Sequence, residues 1–276
     1  MRWKQFFTPV QSFDAEQARK YMADHPLEAY TVLDVRQPVE YESGHIPGAK
    51  LIPLPDLTDR LAEIDPHKPA IVYCAVGGRS RVAAQMLSGK GFETVFNLSG
   101  GFKAWQRKSA FYGEDKGLEL FSGQETPEKT LVVAYALEAG LRDFYVSMAP
   151  KARNTAAQEL FQKLSEIETR HQERIYDEYI KITGGGQNRS EFEEQIVTKT
   201  MEGGLTTEEY TRLFPFDPES ATDITELAMS IEAQALDLYI RAAEKSRSDR
   251  SRNILLQIAN EEQAHLKQLG KLMESL

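Results

Sequence analysis

The tightest constraint on this chain is a repeat written in ionisable residues. Glu138, Tyr145, Glu168 and His171 recur 94 positions later as Glu232, Tyr239, Glu262 and His265. Two motifs of form Glu-x-x-His lie inside it, Glu168-Thr169-Arg170-His171 and Glu262-Gln263-Ala264-His265. Residues i and i+3 share one face of a helix, so each pair can point at one ion. The flanking stripes agree. Ala157, Phe161, Leu164, Glu168, His171 and Ile175 alternate by four and three, as do Leu255, Ile258, Glu262, His265, Leu269 and Leu272. The acids and imidazoles therefore occupy core positions, where unpaired charge is costly. Four carboxylates and two imidazoles meeting in a bundle core offset that cost by binding two divalent metals. Tyr145 and Tyr239 fall two turns after Glu138 and Glu232 on the same face, as core packing or in a supporting or redox role beside the metals. Glu166, Glu173 and Glu261 lie off the stripes and are expected in solvent.

Helical periodicity runs through everything after Thr126. Thr126-Pro127-Glu128 starts a helix well: a capping hydroxyl, Pro at the first position, then an acid facing the dipole. Long helices are predicted over about 127–150, 154–182, 223–246 and 249–274. A long connection with Gly184-Gly185-Gly186 separates the second from the third, with short helices expected around 190–199 and 207–213. Four helices with one long crossover make a ferritin-like bundle.

The first 105 residues read differently. Tyr30–Val35, Ala70–Cys74 and Thr94–Leu98 are strands, alternating with helical stretches such as Arg81–Leu87. This order predicts an α/β domain with a parallel sheet flanked by helices. Gly113, Gly117 and Gly123 mark a polar stretch read as a linker. The expected organisation is 1–108, a linker at 109–125, and a bundle at 126–276.

Composition narrows the function classes. Residues 1–110 carry a net +2 and residues 111–276 a net −11, giving −9 for the 276-residue chain. The acidic half argues against nucleic acid and anionic membrane surfaces as partners. No apolar run approaches the ~20 residues that span a bilayer, and no signal peptide is visible at the N-terminus. Cys74 is the single cysteine. It excludes an internal disulfide and an all-cysteine metal site, and a cytoplasmic location is expected.

Cys74 ends a strand and precedes Ala75-Val76-Gly77-Gly78-Arg79-Ser80, then a helix. A loop of this kind turns backbone N–H groups inward and aims a helix N-terminus at the sulfur. Both favour the thiolate, as does the Arg79 cation. The loop suits an anionic sulfur donor and a persulfide on Cys74.

At these residues the chain resembles the rhodanese sulfurtransferases. The matching pieces are Leu33-Asp34-Val35-Arg36, Glu42-Ser43-Gly44-His45-Ile46-Pro47-Gly48-Ala49, the Cys74–Ser80 loop, and Leu98-Ser99-Gly100-Gly101-Phe102-Lys103-Ala104-Trp105. The resemblance implies that Cys74 accepts sulfur, with Arg79 assisting and Ala75 to Ser80 forming the anion-binding loop. Related phosphatases have a loop longer by one residue, so this length favours sulfur transfer. Small sulfur anions and a thiol or cyanide acceptor follow as partners. Asp34, His45 and Trp105 match the pattern and are read as structural.

Residues 126–276 resemble the rubrerythrins, ferritin-like di-iron proteins. The resemblance implies two iron ions, replaceable by manganese or zinc, held by Glu138, Glu168, His171, Glu232, Glu262 and His265. It further implies reduction of peroxide or oxygen, an external electron donor and a homodimer. Two departures stand out. A further glutamate ligand one turn from Glu232 is absent, with Met229 and Ala235 in the flanking positions. The four-cysteine iron domain that often delivers electrons is also missing.

Overall fold

The computed structural model describes residues 10–105, 109–113, 117–185, 188–195, 204–205, 209–210, 212 and 216–275. The chain divides into two compact units, Met1–Gly113 and Glu114–Leu276.

The first unit is a five-stranded parallel sheet in the order β1-β5-β4-β2-β3. Its strands are β1 (Gln11–Phe13), β2 (Thr31–Asp34), β3 (Lys50–Leu51), β4 (Ala70–Tyr73) and β5 (Val95–Leu98). Its helices are α1 (Ala15–Asp24), α2 (Pro38–Glu42), α3 (Gly78–Gly89) and α4 (Gly101–Trp105). Side chains alternate across each strand, and both faces are covered. Val32, Ile71, Tyr73, Phe96 and Leu98 pack on one face with Ala18 and Met22 of α1. Leu33, Ala70, Val72 and Val95 pack on the other with Ala83, Ala84 and Leu87 of α3. Central β4 therefore reads as a continuous apolar run, and Cys74 lies just past its end.

Three residues marked in the sequence are buried and tied to local backbone or side chains. Asp34 and Arg36 form a buried ion pair at 2.7 Å, and Arg36 also donates to the Gly44 carbonyl at 2.7 Å. His45 stacks on Tyr41 at 3.7 Å between centroids and bonds the Tyr41 carbonyl through Nδ1. Trp105 is buried, and its carbonyl accepts from Arg19.

The second unit is the helical bundle: α5 (Pro127–Met148), α6 (Thr155–Thr183), the short α7 (Arg189–Glu193), α8 (Ala221–Lys245) and α9 (Asp249–Ser275). Thr126 caps α5, its hydroxyl accepting from Lys129 N–H, with Pro127 at the start. Asn154 and Ser220 cap α6 and α8 in the same way. Gly184 closes α6 in the left-handed conformation. Helices α5 and α6 pack mainly on each other, as do α8 and α9. Of the helix expected around 190–199, the described residues form Arg189–Glu193, with Phe192 buried among Tyr135, Tyr176 and Tyr179, and 196–199 lie outside the described residues. Most of the helix expected at 207–213 lies outside the described residues.

The polar stretch read as a linker carries structure at both ends. Ala110 is buried and pairs with His45 across an antiparallel bridge. Leu118–Leu120 forms a 3-10 turn of the second unit, and Phe121 packs edge-on against Tyr239. Glycines dominated the sequence signal, but Leu118 and Phe121 find apolar cover.

Candidate functional sites

The sulfur site is built where β4 turns into α3. Gly77 adopts φ +99°, which only glycine does without strain, and it directs its N–H at Cys74 Sγ, 3.1 Å away. The Ser80 hydroxyl lies 3.5 Å from the sulfur and 2.7 Å from Asn97 Oδ1. Cys74 is 1% exposed. Burial works against ionisation, yet the Ser80 hydroxyl and the amides of Ser80, Val76 and Gly77 outweigh it and hold the thiol below its ordinary range.

The loop is fastened from behind by α4. Phe102 N–H donates to the Cys74 carbonyl at 2.7 Å, and Lys103 N–H to the Ala75 carbonyl at 3.1 Å. Gly101, at φ +58°, sits so close that an added Cβ would lie 2.2 Å from the Cys74 carbonyl oxygen. Those carbonyls face α4, while the Gly77 amide faces the sulfur.

Arg79 interacts with the Cys74 sulfur and also has a carboxylate partner. Its guanidinium makes a two-pronged ion pair with Glu40, both bonds 2.7 Å. Glu40 outranks the Cys74 sulfur among the groups that hold the arginine charged. The pair in turn lowers the Glu40 carboxyl to about 2. Sequence reading missed Glu40, 39 residues from its partner.

In the bundle, the six predicted ligands gather as two clusters. Glu138, Glu168 and His171 bring ligand atoms within 4.8 Å of one another, as do Glu232, Glu262 and His265. Each cluster comes from a single helical hairpin, α5–α6 or α8–α9. The His171 and His265 rings stack at 4.0 Å between centroids and 6° between planes, joining the two. His171 Nδ1 lies 2.9 Å from Glu168 and 3.2 Å from Glu138. His265 Nδ1 lies 3.1 Å from Glu262 and 3.6 Å from Glu232. All four glutamates are buried.

This donor set fits divalent metal. One oxygen of each carboxylate, Glu138 Oε1, Glu168 Oε1, Glu232 Oε2 and Glu262 Oε1, is buried without a hydrogen-bond partner. Such oxygens are costly unless a cation meets them. At Glu168 and Glu262 a proton otherwise takes that role. Burial pushes Glu168 up to about 8 and Glu262 well above the carboxylate range. Burial opposes charge on the imidazoles, but the facing glutamates overcome it, raising His171 to about 11 and His265 to about 10. An ion entering the cluster displaces protons.

The surroundings of the two clusters differ. Arg142 donates to Gln172 at 2.7 Å between α5 and α6, beside the first cluster. The equivalent positions of the second hairpin are Leu236 and Leu266, both buried. Glu261, expected in solvent, is ion-paired with Arg174 across α6 and α9 and partly buried. Tyr145 and Tyr239 are buried, with Phe161 and Phe121 as ring neighbours.

Fold and site together define a two-domain protein: a parallel-sheet domain with a cysteine at the strand-to-helix loop, followed by a helical bundle with two carboxylate–histidine clusters that could hold metal. Residues 129–273, just over half of the chain, match the rubrerythrin family model, and the chain belongs to that family. Residues 14–108 match the rhodanese-like domain model. The rubrerythrin domain implies a di-iron site, and the two clusters are able to bind metal. An uncharacterised Bacillus subtilis protein, YqhL, is 48% identical over 77 residues, covering 28% of this chain and 61% of that protein. The rhodanese-like/PpiC domain-containing protein 12, chloroplastic, of Arabidopsis thaliana is 36% identical over 108 residues, covering 36% of this chain and 35% of that one. The chain thus spans less than two thirds of either relative. Among solved structures, the rhodanese-like domain of an Anabaena protein is 36% identical over 36% of this chain and 74% of its own, with a TM-score of 0.33. Among the described residues, no helix is long and apolar enough to cross a membrane.

Proposed function

We propose that this chain transfers sulfane sulfur through a persulfide on Cys74 and reduces peroxide or oxygen at a di-iron centre in its bundle. The sulfurtransferase domain is 1–108 and the bundle 126–276, joined by 109–125. The observation that carries the reading is preorganisation. The Cys74 sulfur already accepts the Gly77 N–H, and the six ligands already converge in two clusters.

The sulfur reaction follows from the loop. The Cys74 thiolate attacks the outer sulfur of thiosulfate or another sulfane donor. The donor's S–S bond breaks, sulfite or a thiolate departs with the electron pair, and a Cys74 persulfide remains. The loop amides hold the negative charge on the terminal sulfur. A thiol or cyanide acceptor then takes that sulfur and restores the thiolate. In the bundle, Glu138, Glu168 and His171 would hold one ion, and Glu232, Glu262 and His265 the other. Iron held there would supply electrons for reducing peroxide or oxygen, and an external donor would replenish them. The glutamates balance the charge of the ions, and the buried helices limit the entry of water. Tyr145 and Tyr239 are proposed to support the centre. Cytoplasmic location and homodimerisation belong to the same reading.

The test has two arms. Thiosulfate–cyanide turnover is expected to vanish in Cys74→Ala. Protein purified without oxygen is expected to hold close to two irons per chain, lost in Glu168→Ala/Glu262→Ala, and to consume peroxide when reduced. A second reading, a bundle that only binds or stores iron or senses oxidant, is favoured by buried Ala235 and Met229 where an extra carboxylate would stand. Iron without peroxide turnover would select it.

A further inference from the structure

We propose that Glu40 is a specificity-determining residue of the sulfur site, selecting a donor persulfide on an uncharged organic group over doubly charged anions such as thiosulfate. The proposal deepens the sulfurtransferase reading and rests on it.

The argument begins with charge. An anion-binding loop next to a free guanidinium attracts dianions. Here that guanidinium is already engaged. Arg79 gives Nη1 and Nη2 to the two oxygens of Glu40 at 2.7 Å each. Glu40 is itself fixed, because its Oε2 also accepts Gln37 N–H at 3.0 Å within the capping box of α2. The pair is only partly exposed, so it is screened less than a surface pair would be. With Arg79 so paired, its charge that also reaches Cys74 is largely offset by Glu40, and the Ser80 hydroxyl and the loop amides are the main donors at the sulfur. These suffice for the single charge of a persulfide, whereas a second negative charge meets the Glu40 carboxylate.

The rim points the same way. Val39, beside Glu40, is 72% exposed, and Val76, within the loop, is 65% exposed. An exposed aliphatic side chain on the loop itself, here Val76, is poor company for a small hydrated dianion and good company for an alkyl group.

The step balances without a further reactant. The Cys74 thiolate attacks the outer sulfur of R–S–SH. The S–S bond of the donor breaks as the Cys74–S bond forms, R–S− leaves with the electron pair, and the proton stays with the product persulfide. No net oxidation occurs.

The test compares sodium thiosulfate with 2-hydroxyethyl persulfide in the full-length chain. Loading of Cys74 is read by mass as the gain of one sulfur atom, and kcat/KM is measured for each donor. Glu40→Gln keeps the shape and the cap to Gln37. It is expected to shift the efficiency ratio toward thiosulfate by on the order of tenfold, the effect of one unscreened charge near the site. The shift should shrink at high salt. Glu63→Gln makes the same change in net charge at the separate Arg60–Glu63 pair and is expected to leave the ratio alone. An unchanged ratio in Glu40→Gln, an equal shift in Glu63→Gln, or equal loss of both donors in folded Glu40→Gln overturns the proposal. Wild type that loads from neither donor overturns the sulfurtransferase reading itself.

Discussion

Gly100 and Gly101 share a positive φ but press on different neighbours. A Cβ on Gly101 would strike the Cys74 carbonyl, whereas one on Gly100 would lie 2.6 Å from the Ala104 side chain. Both substitutions by alanine should destabilise the domain. Only Gly101→Ala should also shift the pH at which Cys74 becomes reactive, because it displaces the loop that aims the Gly77 amide. Iodoacetamide alkylation followed against pH checks this. The midpoint should rise in Gly101→Ala and stay put in Gly100→Ala. The sign of the stability effect is fixed as well. A thiol held low in the folded state stabilises the fold above its unfolded value and loses that contribution as pH falls through the folded one. The stability gap between wild type and Cys74→Ser should therefore widen as pH rises through the thiol range, as urea unfolding would show. Cys74 was legible in sequence because its neighbours Gly77, Gly78 and Arg79 lie beside it. Glu40 and Gly101 act on the loop from α2 and α4, and spacing along the chain carries no trace of that contact.

Among elements, the hairpin is the unit that matters. The α5–α6 hairpin supplies one full cluster and α8–α9 the other. His171→Ala and His265→Ala should each weaken one ion site first, leaving roughly half of the iron at limiting metal, as elemental analysis would read. An arrangement that shared ligands evenly across all four helices would lose both ions together. The long helices were legible because apolar stripes and caps at Thr126 and the Glu-x-x-His motifs agree in period. The elements missed were short or polar. β1 and β3 are edge strands of three and two residues, too brief to show alternation. Helix α1 buries only Ala15, Ala18 and Met22. Its readable signal was the capping box of Asp14 and Gln17.

For the whole molecule, metal and stability are linked through the second unit. Ions that bind the folded bundle and not the unfolded chain stabilise it by about 2.7 kcal/mol at a free concentration of 100 Kd. Chelation should lower the temperature at which the helical signal is lost, and Glu168→Ala/Glu262→Ala should remove the effect of added iron. Cys74→Ala should leave the iron content unchanged. Circular dichroism melts with and without chelator, alongside elemental analysis, check all three. The charge imbalance seen in sequence belongs to this unit too, and placement separates the four buried glutamates of the clusters from carboxylates paired elsewhere, such as buried Asp237 with Arg241 and Glu261 with Arg174.

The repeat has a further consequence in terms of descent and design. One helical hairpin containing a complete half-site could serve twice as an identical pair, and a linked duplicate gains something such a pair lacks. Its copies can diverge. Arg142 and Gln172 in one hairpin stand where the other has Leu236 and Leu266, and the other in turn buries the Asp237–Arg241 pair where the first has Asp143 and Ser147, so the polar surroundings of the two half-sites have diverged.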